Sequence, residues 1–320
     1  MAYNDIMERT GDVEALIPEE VEKEIYGNIP QHSAIMSLGR QLRPMARQET
    51  TLRVLDGLAS AYFVGATTAA SGDSAKLQTS ELTWDNKYIR AAKLGVIVPI
   101  PKDVLADQDY DLWGEVRPNV EEAIGKALDA AVIHGTNAPS DWPDDLVTAA
   151  TAAGNVKDIS DFTDVYDAVL GEGGTVSTLE DDGYFTTGHI GAVSMRAKLR
   201  GARSADGVPI FQKDPSQKNA YTLDGEGIFF PRNGALDTAA ALLISGDFSQ
   251  LVYSFRKGLE WEVLKEAVIQ DGNGDITMNL AQQDMVALKV TMRWGWQLPN
   301  PINRLQATEA NRYPFGILTP

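Results

Sequence analysis

The stretch KLGVIVPIPKDVLAD, Lys93 to Asp107, with DAAVIHG at Asp129 to Gly135 downstream of it, decides how this chain is read. Its first half completes a β-rich run from Tyr88 to Pro101. From about Asp109 to His134 the pattern changes, and Val116, Val120, Ala123, Ile124, Ala127 and Ala131 recur at helical spacing. Pro118 sits early in that segment and Gly135 is placed to stop it. The spacing predicts a helix longer than most globular ones, a backbone element of the fold. GTNAPSDWPDD, Gly135 to Asp145, then reads as turn chemistry.

Working upstream, Thr50 to Val64 is β-type, ATTAASGDSA from Ala66 to Ala75 is a loop tip of small residues, and β-type residues return at Leu82 and Trp84. Thr50 to Ile100 therefore reads as a long two-stranded excursion. A lone hairpin is marginal in water, so this one is expected to rest on another surface. Its apolar flanks, Leu52, Val54, Leu55, Tyr62, Phe63, Leu82 and Trp84, are the candidate subunit-contact residues. Before it, Ala2 to Arg43 reads as an extended arm with one short helix, Pro18 to Tyr26, bearing Val21 and Ile25, and interrupted at Pro30 and Pro44.

Working downstream, helices are expected at Ser160 to Leu170, capped by Ser160 or Asp161, and at Gly191 to Arg200. Short apolar segments at Tyr184 to Thr187, Ile228 to Pro231 and Ala239 to Ser245 make the middle region mixed α+β. Two long strands, Leu259 to Gln270 and Met285 to Leu298, are joined by DGNGDITMNLAQQ. The tail after Pro299 reads as irregular.

Composition bounds the function. In 320 residues, 43% hydrophobic and 23% charged side chains suit a folded chain with a sizeable core. No run approaches the roughly 20 apolar residues of a membrane helix. Asp5, Glu8 and Arg9 stand where a signal peptide would be apolar, so a soluble chain, unexported by the usual route, is expected. With no cysteine and only His32, His134 and His189, neither a disulfide framework nor a transition-metal site is expected. A formal charge of -17 argues against a sequence-independent phosphate-binding surface.

The sharper chemical motifs have plainer readings. DGNGDIT, Asp271 to Thr277, opens like a calcium loop, but its twelfth place is Gln282, and a solvated turn is expected. Asp144 with Asp145, and Asp181 with Asp182, read as surface turns and not as acid/base pairs. LGEGGT, Leu170 to Thr175, lacks the Lys of a phosphate loop and reads as a helix end. His134, in the last turn of the long helix, favours the helix dipole. No catalytic, cofactor-binding or metal residue is assigned.

Laid end to end, this order resembles the HK97-like major capsid proteins of tailed double-stranded DNA bacteriophages. The pieces that carry the likeness are IPEEVEKEI (Ile17 to Ile25), the hairpin, the Lys93 to Asp107 stretch with DAAVIHG, SGDFSQLVYSFRKGLEWEV (Ser245 to Val263) and DMVALKVTMRWGWQLPNP (Asp284 to Pro301). The resemblance implies an α+β capsid fold: an N-terminal arm over 1–48 and an E-loop hairpin over 49–100. A P-domain with its spine helix would take 101–141 and 254–320, and an A-domain 142–253. It implies a non-enzymatic subunit that forms pentamers and hexamers and closes an icosahedral head around double-stranded DNA. Portal and decoration proteins are the further partners it brings. Because the arm motif begins at Ile17, scaffolding is expected from a separate protein. Assembly would occur in the host cytoplasm and the product would be the virion, with no membrane involved.

Some members of that family join neighbours by a Lys to Asn isopeptide bond assisted by a Glu. The matching positions here are Asp284 and Thr291, with Lys76 near the loop tip, so the amide leaving group and the base are both missing. An encapsulin-type nanocompartment is the alternative within the same fold, and an acidic hydrolase the alternative outside it.

Overall fold

In the computed structural model, which describes residues 33–61, 79–103, 112–202 and 222–320, the elements follow one another in this order. Helix α1 (Ala34–Leu38), β1 (Arg40–Gln41), β2 (Glu49–Leu55), β3 (Trp84–Arg90) and β4 (Ala92–Pro101) lead to the long α2 (Leu112–His134). Then come α3 (Leu146–Ala153), β5 (Val156–Asp158), α4 (Val165–Leu170), α5 (Thr175–Asp181), β6 (Gly188–Gly191) and α6 (Met195–Gly201). The chain ends with β7 (Thr222–Leu223), β8 (Glu226–Phe229), β9 (Leu243–Gly246), β10 (Val252–Leu264), β11 (Val268–Gln270), β12 (Ile276–Asn279), β13 (Met285–Gln297) and β14 (Phe315–Thr319).

The long helix forms because its apolar residues fall on one stripe. Val120, Ile124, Leu128 and Val132 are buried at four-residue steps, and Gly135, at φ 66, takes the left-handed turn that ends the helix. Pro118 lies inside the helix because the helix already begins at Leu112. Against this stripe lies a four-stranded sheet in the order β1-β10-β13-β4. β13 is its centre: Leu288, Val290, Met292, Trp294 and Trp296 are all buried, and they join the helix stripe in one core. Burying side chains of this size contributes roughly 1.5 to 3 kcal/mol each.

A second sheet runs β5-β14-β9-β6-β8-β7. Gly246 is required where β9 meets β14, since a Cβ there would sit 2.3 Å from Phe315 Cδ1. Around this sheet Ala168, Val169, Val176, Met195, Leu199 and Leu243 form a separate apolar cluster. Two two-stranded ribbons, β2-β3 and β11-β12, complete the chain.

The structure corrects the sequence reading at several points. Among the described residues, strand pairing within the excursion read as Thr50 to Ile100 runs from Glu49↔Arg90 to Leu55↔Trp84. Ala92–Pro101 leaves the ribbon and pairs along β13, because its branched residues add an edge to a sheet already covered by the helix. The tail read as irregular contains β14, an interior strand of the second sheet, so the last residues of the 254–320 span sit with the middle region. Their run FGILT is fully apolar apart from its end, as an interior strand requires. α4 is capped by Asp164, whose carboxylate accepts from Val165 N at 2.7 Å, and not by Ser160 or Asp161; those two lie in a short 3₁₀ turn. The linker between the last long strands folds into the β11-β12 ribbon. The short helix read at Pro18 to Tyr26 and the loop tip at Ala66 to Ala75 lie outside the described residues.

Candidate assembly interface

Strand pairing sorts the hairpin residues onto two faces. Thr50, Leu52 and Val54 stand opposite Ile89, Lys87 and Asp85, and directly opposed residues share a face. This face meets the body: Ile89 is fully buried, Val54 is buried, and Leu52 packs on a small cluster of Met45, Ile89, Ala91 and Val252. The other face carries Leu55 opposite Trp84, and Thr51 opposite Tyr88. Trp84 is 64% exposed, against a side chain that loses a large hydrophobic area when covered.

The stem is fastened to the subunit along its length. Trp142 Nε1 donates to Arg90 O at 3.0 Å, Gln297 Nε2 to Tyr88 O at 3.0 Å and Ile302 N to Leu55 O at 3.1 Å. Arg304 Nη2 donates to Ala59 O at 2.7 Å, and Lys87 pairs with Glu309. Of the seven candidate contact residues, then, Leu52 and Val54 turn to their own subunit, Leu55 is half-buried, and Leu82 and Trp84 are exposed. Tyr62 and Phe63 lie outside the described residues.

Further exposed apolar residues escaped the sequence reading, and among the described residues two are more exposed than the rest. Phe185 is 80% and Leu305 74% exposed. Their loops touch: Asn303 Nδ2 donates to Asp182 O at 2.5 Å, and a Cβ on Gly183 would lie 3.1 Å from Leu305 Cδ1. No sequence signal marks them, because an exposed apolar residue in a loop looks like any buried one.

The point where the N-terminal region joins the body is also built from the long helix. Asp129, fully buried on α2, accepts from Ser33 Oγ (2.6 Å), Ala34 N (2.9 Å), Ile35 N (3.2 Å) and Asn233 Nδ2 (3.0 Å). Burial pushes its pKa up while these four donors oppose the shift. Ser33 Oγ in turn accepts from Met36 N at 3.2 Å and caps α1. One carboxylate thus joins α1, α2 and the 233 loop.

The acidic pairs do not all lie at the surface. Asp182 is buried, and its Oδ2 accepts from Asn155 Nδ2 at 2.7 Å and Tyr313 N at 3.1 Å, so it braces the second sheet. Asp145 caps α3 by accepting from Thr148 N at 3.0 Å. His134 acts otherwise than its position on the helix suggests. Its Nε2 accepts from Asp237 N at 2.9 Å and burial lowers its pKa, so it serves as a neutral acceptor and not as a cation on the dipole. His189, whose pKa burial lowers to about 4, takes Ser245 Oγ at Nδ1 (2.8 Å) and donates from Nε2 to Leu223 O (3.2 Å).

Asp271 Oδ1 accepts from Asn273 N and Asp275 N, both at 2.9 Å, which is the chemistry of a turn. Among the described residues no group of three His, Asp or Glu could hold a metal ion, and no helix is long and apolar enough to cross a membrane. Asp284, at φ 48, pairs with Lys102, and Thr291 lies within β13 between Glu260 and Gly95. Lys76 lies outside the described residues.

Comparison with known proteins gives one answer. Residues 14–305 match the model of the phage capsid family. The major capsid protein of Staphylococcus phage 80alpha is 30% identical over 271 residues, covering 84% of this chain and 77% of that protein. A solved chain from Microbacterium phage Oxtober96 superposes with a TM-score of 0.76 at 30% identity, covering 97% of this chain and 95% of the other. One from Mycobacterium phage Cain gives 0.76 at 29% identity over 91% and 90%. The capsid of a native GTA particle shares the fold alone, at 13% identity with a TM-score of 0.56 over 99% and 95%.

Proposed function

The chain belongs to the phage capsid family, and from this premise we propose that it builds pentamers and hexamers closing an icosahedral head around double-stranded DNA. It is a major capsid protein of HK97-like fold, a structural subunit from a family that is not one of enzymes. It self-associates and is a component of the virion. The observation that carries the reading is the likeness over 84% of the chain to a phage major capsid protein. The nanocompartment and hydrolase alternatives are not favoured by any of these relatives.

In the proposed assembly, the β2-β3 ribbon and the chain between its strands act as the E-loop that lies over a neighbouring subunit. The exposed Trp84 and Leu82 support this role, as does the outward face of the ribbon. α2 acts as the spine of a P-domain, with the four-stranded sheet, and the six-stranded sheet forms the A-domain around the axes. Arm and hairpin change partners as a precursor shell expands, exchanging one set of interfaces for another. A net charge of -17 fits a container whose wall lets the duplex slide, since a wall dense in Lys and Arg would grip phosphates. A separate scaffolding protein, a portal and a decoration protein complete the particle, which assembles in the host cytoplasm. The subunit works without cofactor or catalysis.

The test is to express the chain with its scaffold and examine it by sedimentation and negative-stain electron microscopy. Capsomers, shells or tubes are expected; a clean monomer at high concentration overturns the reading.

A further inference from the structure

Beside the long helix runs a trough with a cavity volume of about 380 Å³. Its helix wall is made of Ala123, Ala127, Ala130 and Ala131, and Trp142 and Trp294 contribute to its lining. Small side chains on a helix wall leave room for another segment to lie close. Lys93 and Lys126 also line the trough, both exposed, and no carboxylate does. Neither lysine has an ion-pair partner among the described residues, in a chain where 45 acidic side chains outnumber 28 basic ones. An apolar trough with two free cations fits a segment that is apolar on one side and acidic beside it.

The sequence IPEEVEKEI, Ile17 to Ile25, has that chemistry. In helical geometry Ile17, Val21 and Ile25 share one side, and Glu20 and Glu24 fall at its edge. The described chain begins at Ser33, bound to Asp129 on the same helix, one turn from Lys126. Residues 26–32 extend to roughly 24 Å, whereas Asp129 and Ala123 lie only about 9 Å apart along the helix axis. Asp129 and Ala123 are also about 120° apart around the helix, so the tether has to pass round it, a path still within the length of the seven residues that precede Ser33. The trough of its own subunit is therefore within the segment's reach.

We propose that Ile17 to Ile25 docks in this trough in cis, with its apolar side on the alanine wall and Glu20 and Glu24 facing Lys126 and Lys93. Docking of this kind stows the N-terminal region on the subunit that carries it. The inference rests on the trough and not on the capsid reading, and its test is made on unassembled full-length protein.

The chain has no cysteine, so a Val21→Cys, Ala127→Cys variant contains one thiol pair. Mild oxidation is expected to close an intramolecular disulfide, seen as a gel shift of the monomer, much faster than in a Val21→Cys, Thr151→Cys control. Adding Lys93→Glu and Lys126→Glu should slow closure roughly tenfold, and Glu20→Lys with Glu24→Lys in that same chain should restore it. On the unsubstituted protein, a zero-length amine-carboxylate crosslinker should join Lys93 or Lys126 to Glu20 or Glu24. Closure no faster than the control, insensitivity to charge reversal, or absence of those crosslinked peptides each overturns the proposal. Disulfide-linked dimers in place of the monomer shift would overturn it too, by showing that a second copy supplies the segment.

Discussion

Ser33 Oγ donates to Asp129 Oδ1 at 2.6 Å across 96 residues of sequence, and this bond fixes the start of α1 against the middle of α2. The carboxylate is fully buried and faces four donors, so its loss removes an acceptor from all four at once. Asp129→Ala should destabilise the subunit by about 3 kcal/mol in urea unfolding, and Ser33→Ala by about 1 kcal/mol. The two effects should not add, because the double variant has already lost the shared acceptor. Simple additivity would mean that the bond contributes nothing.

The contact role proposed for the outward face of the β2-β3 ribbon gives its two faces different expected effects. Val54 is buried in its own subunit, so Val54→Ala should lower subunit stability by about 2 kcal/mol. Trp84 is 64% exposed, so Trp84→Ala should leave stability within about 0.5 kcal/mol while reducing the yield of shells. Thermal melts of unassembled protein, paired with particle counts by electron microscopy, distinguish the two. A Trp84→Ala chain that assembles normally refutes the contact role of that face.

What was legible in the sequence follows from periodicity. The buried stripe of α2 is visible as Val120, Ile124 and their neighbours, and the central strand β13 as an apolar run bounded by Asp284 and Pro299. The end of the hairpin was not legible, because Tyr88 to Pro101 is β-rich throughout and composition says nothing about which partner a strand takes. β14 was missed for a related reason: five residues suffice for an interior strand, but too few to show a period. Leu52 and Leu55 look alike in sequence and differ only by the face they take, which register decides. Asp129 and Asp182 look like any surface acid until distant residues bring Ser33, Asn155 and Tyr313 to them.

Buried histidine makes the subunit sensitive to mild acid. His189 has a folded pKa of about 4, below its unfolded value of 6.5, so the unfolded chain binds the extra proton between those limits. The stability it contributes is complete above pH 6.5 and is lost as pH falls towards 4, by about 2 kcal/mol between pH 7.5 and 5. His134, lowered by burial as well, acts with the same sign. Urea unfolding at the two pH values reads the sum, and a proton NMR titration reads His189 alone. A His189 signal that titrates near pH 6.5 would contradict its burial as a neutral ring.

The last prediction concerns covalent chemistry between subunits. An isopeptide bond needs an amide that can lose ammonia and a base to take the amine's proton, and this chain has Asp284 and Thr291 at the positions that match those groups. Asp284 is an exposed carboxylate paired with Lys102, a charged pair from which a lysine nitrogen expels nothing without activation. Thr291 lies within a β-strand, and its hydroxyl is no base for the amine's proton. Mature particles boiled in detergent should therefore run as one band near 34.8 kDa. A bond between Lys102 and Asp284 would stay within one chain and leave that band where it is, so mass spectrometry is needed to see it. A ladder of multimers without added crosslinker requires a different pair of residues, and finding one would refute the claim.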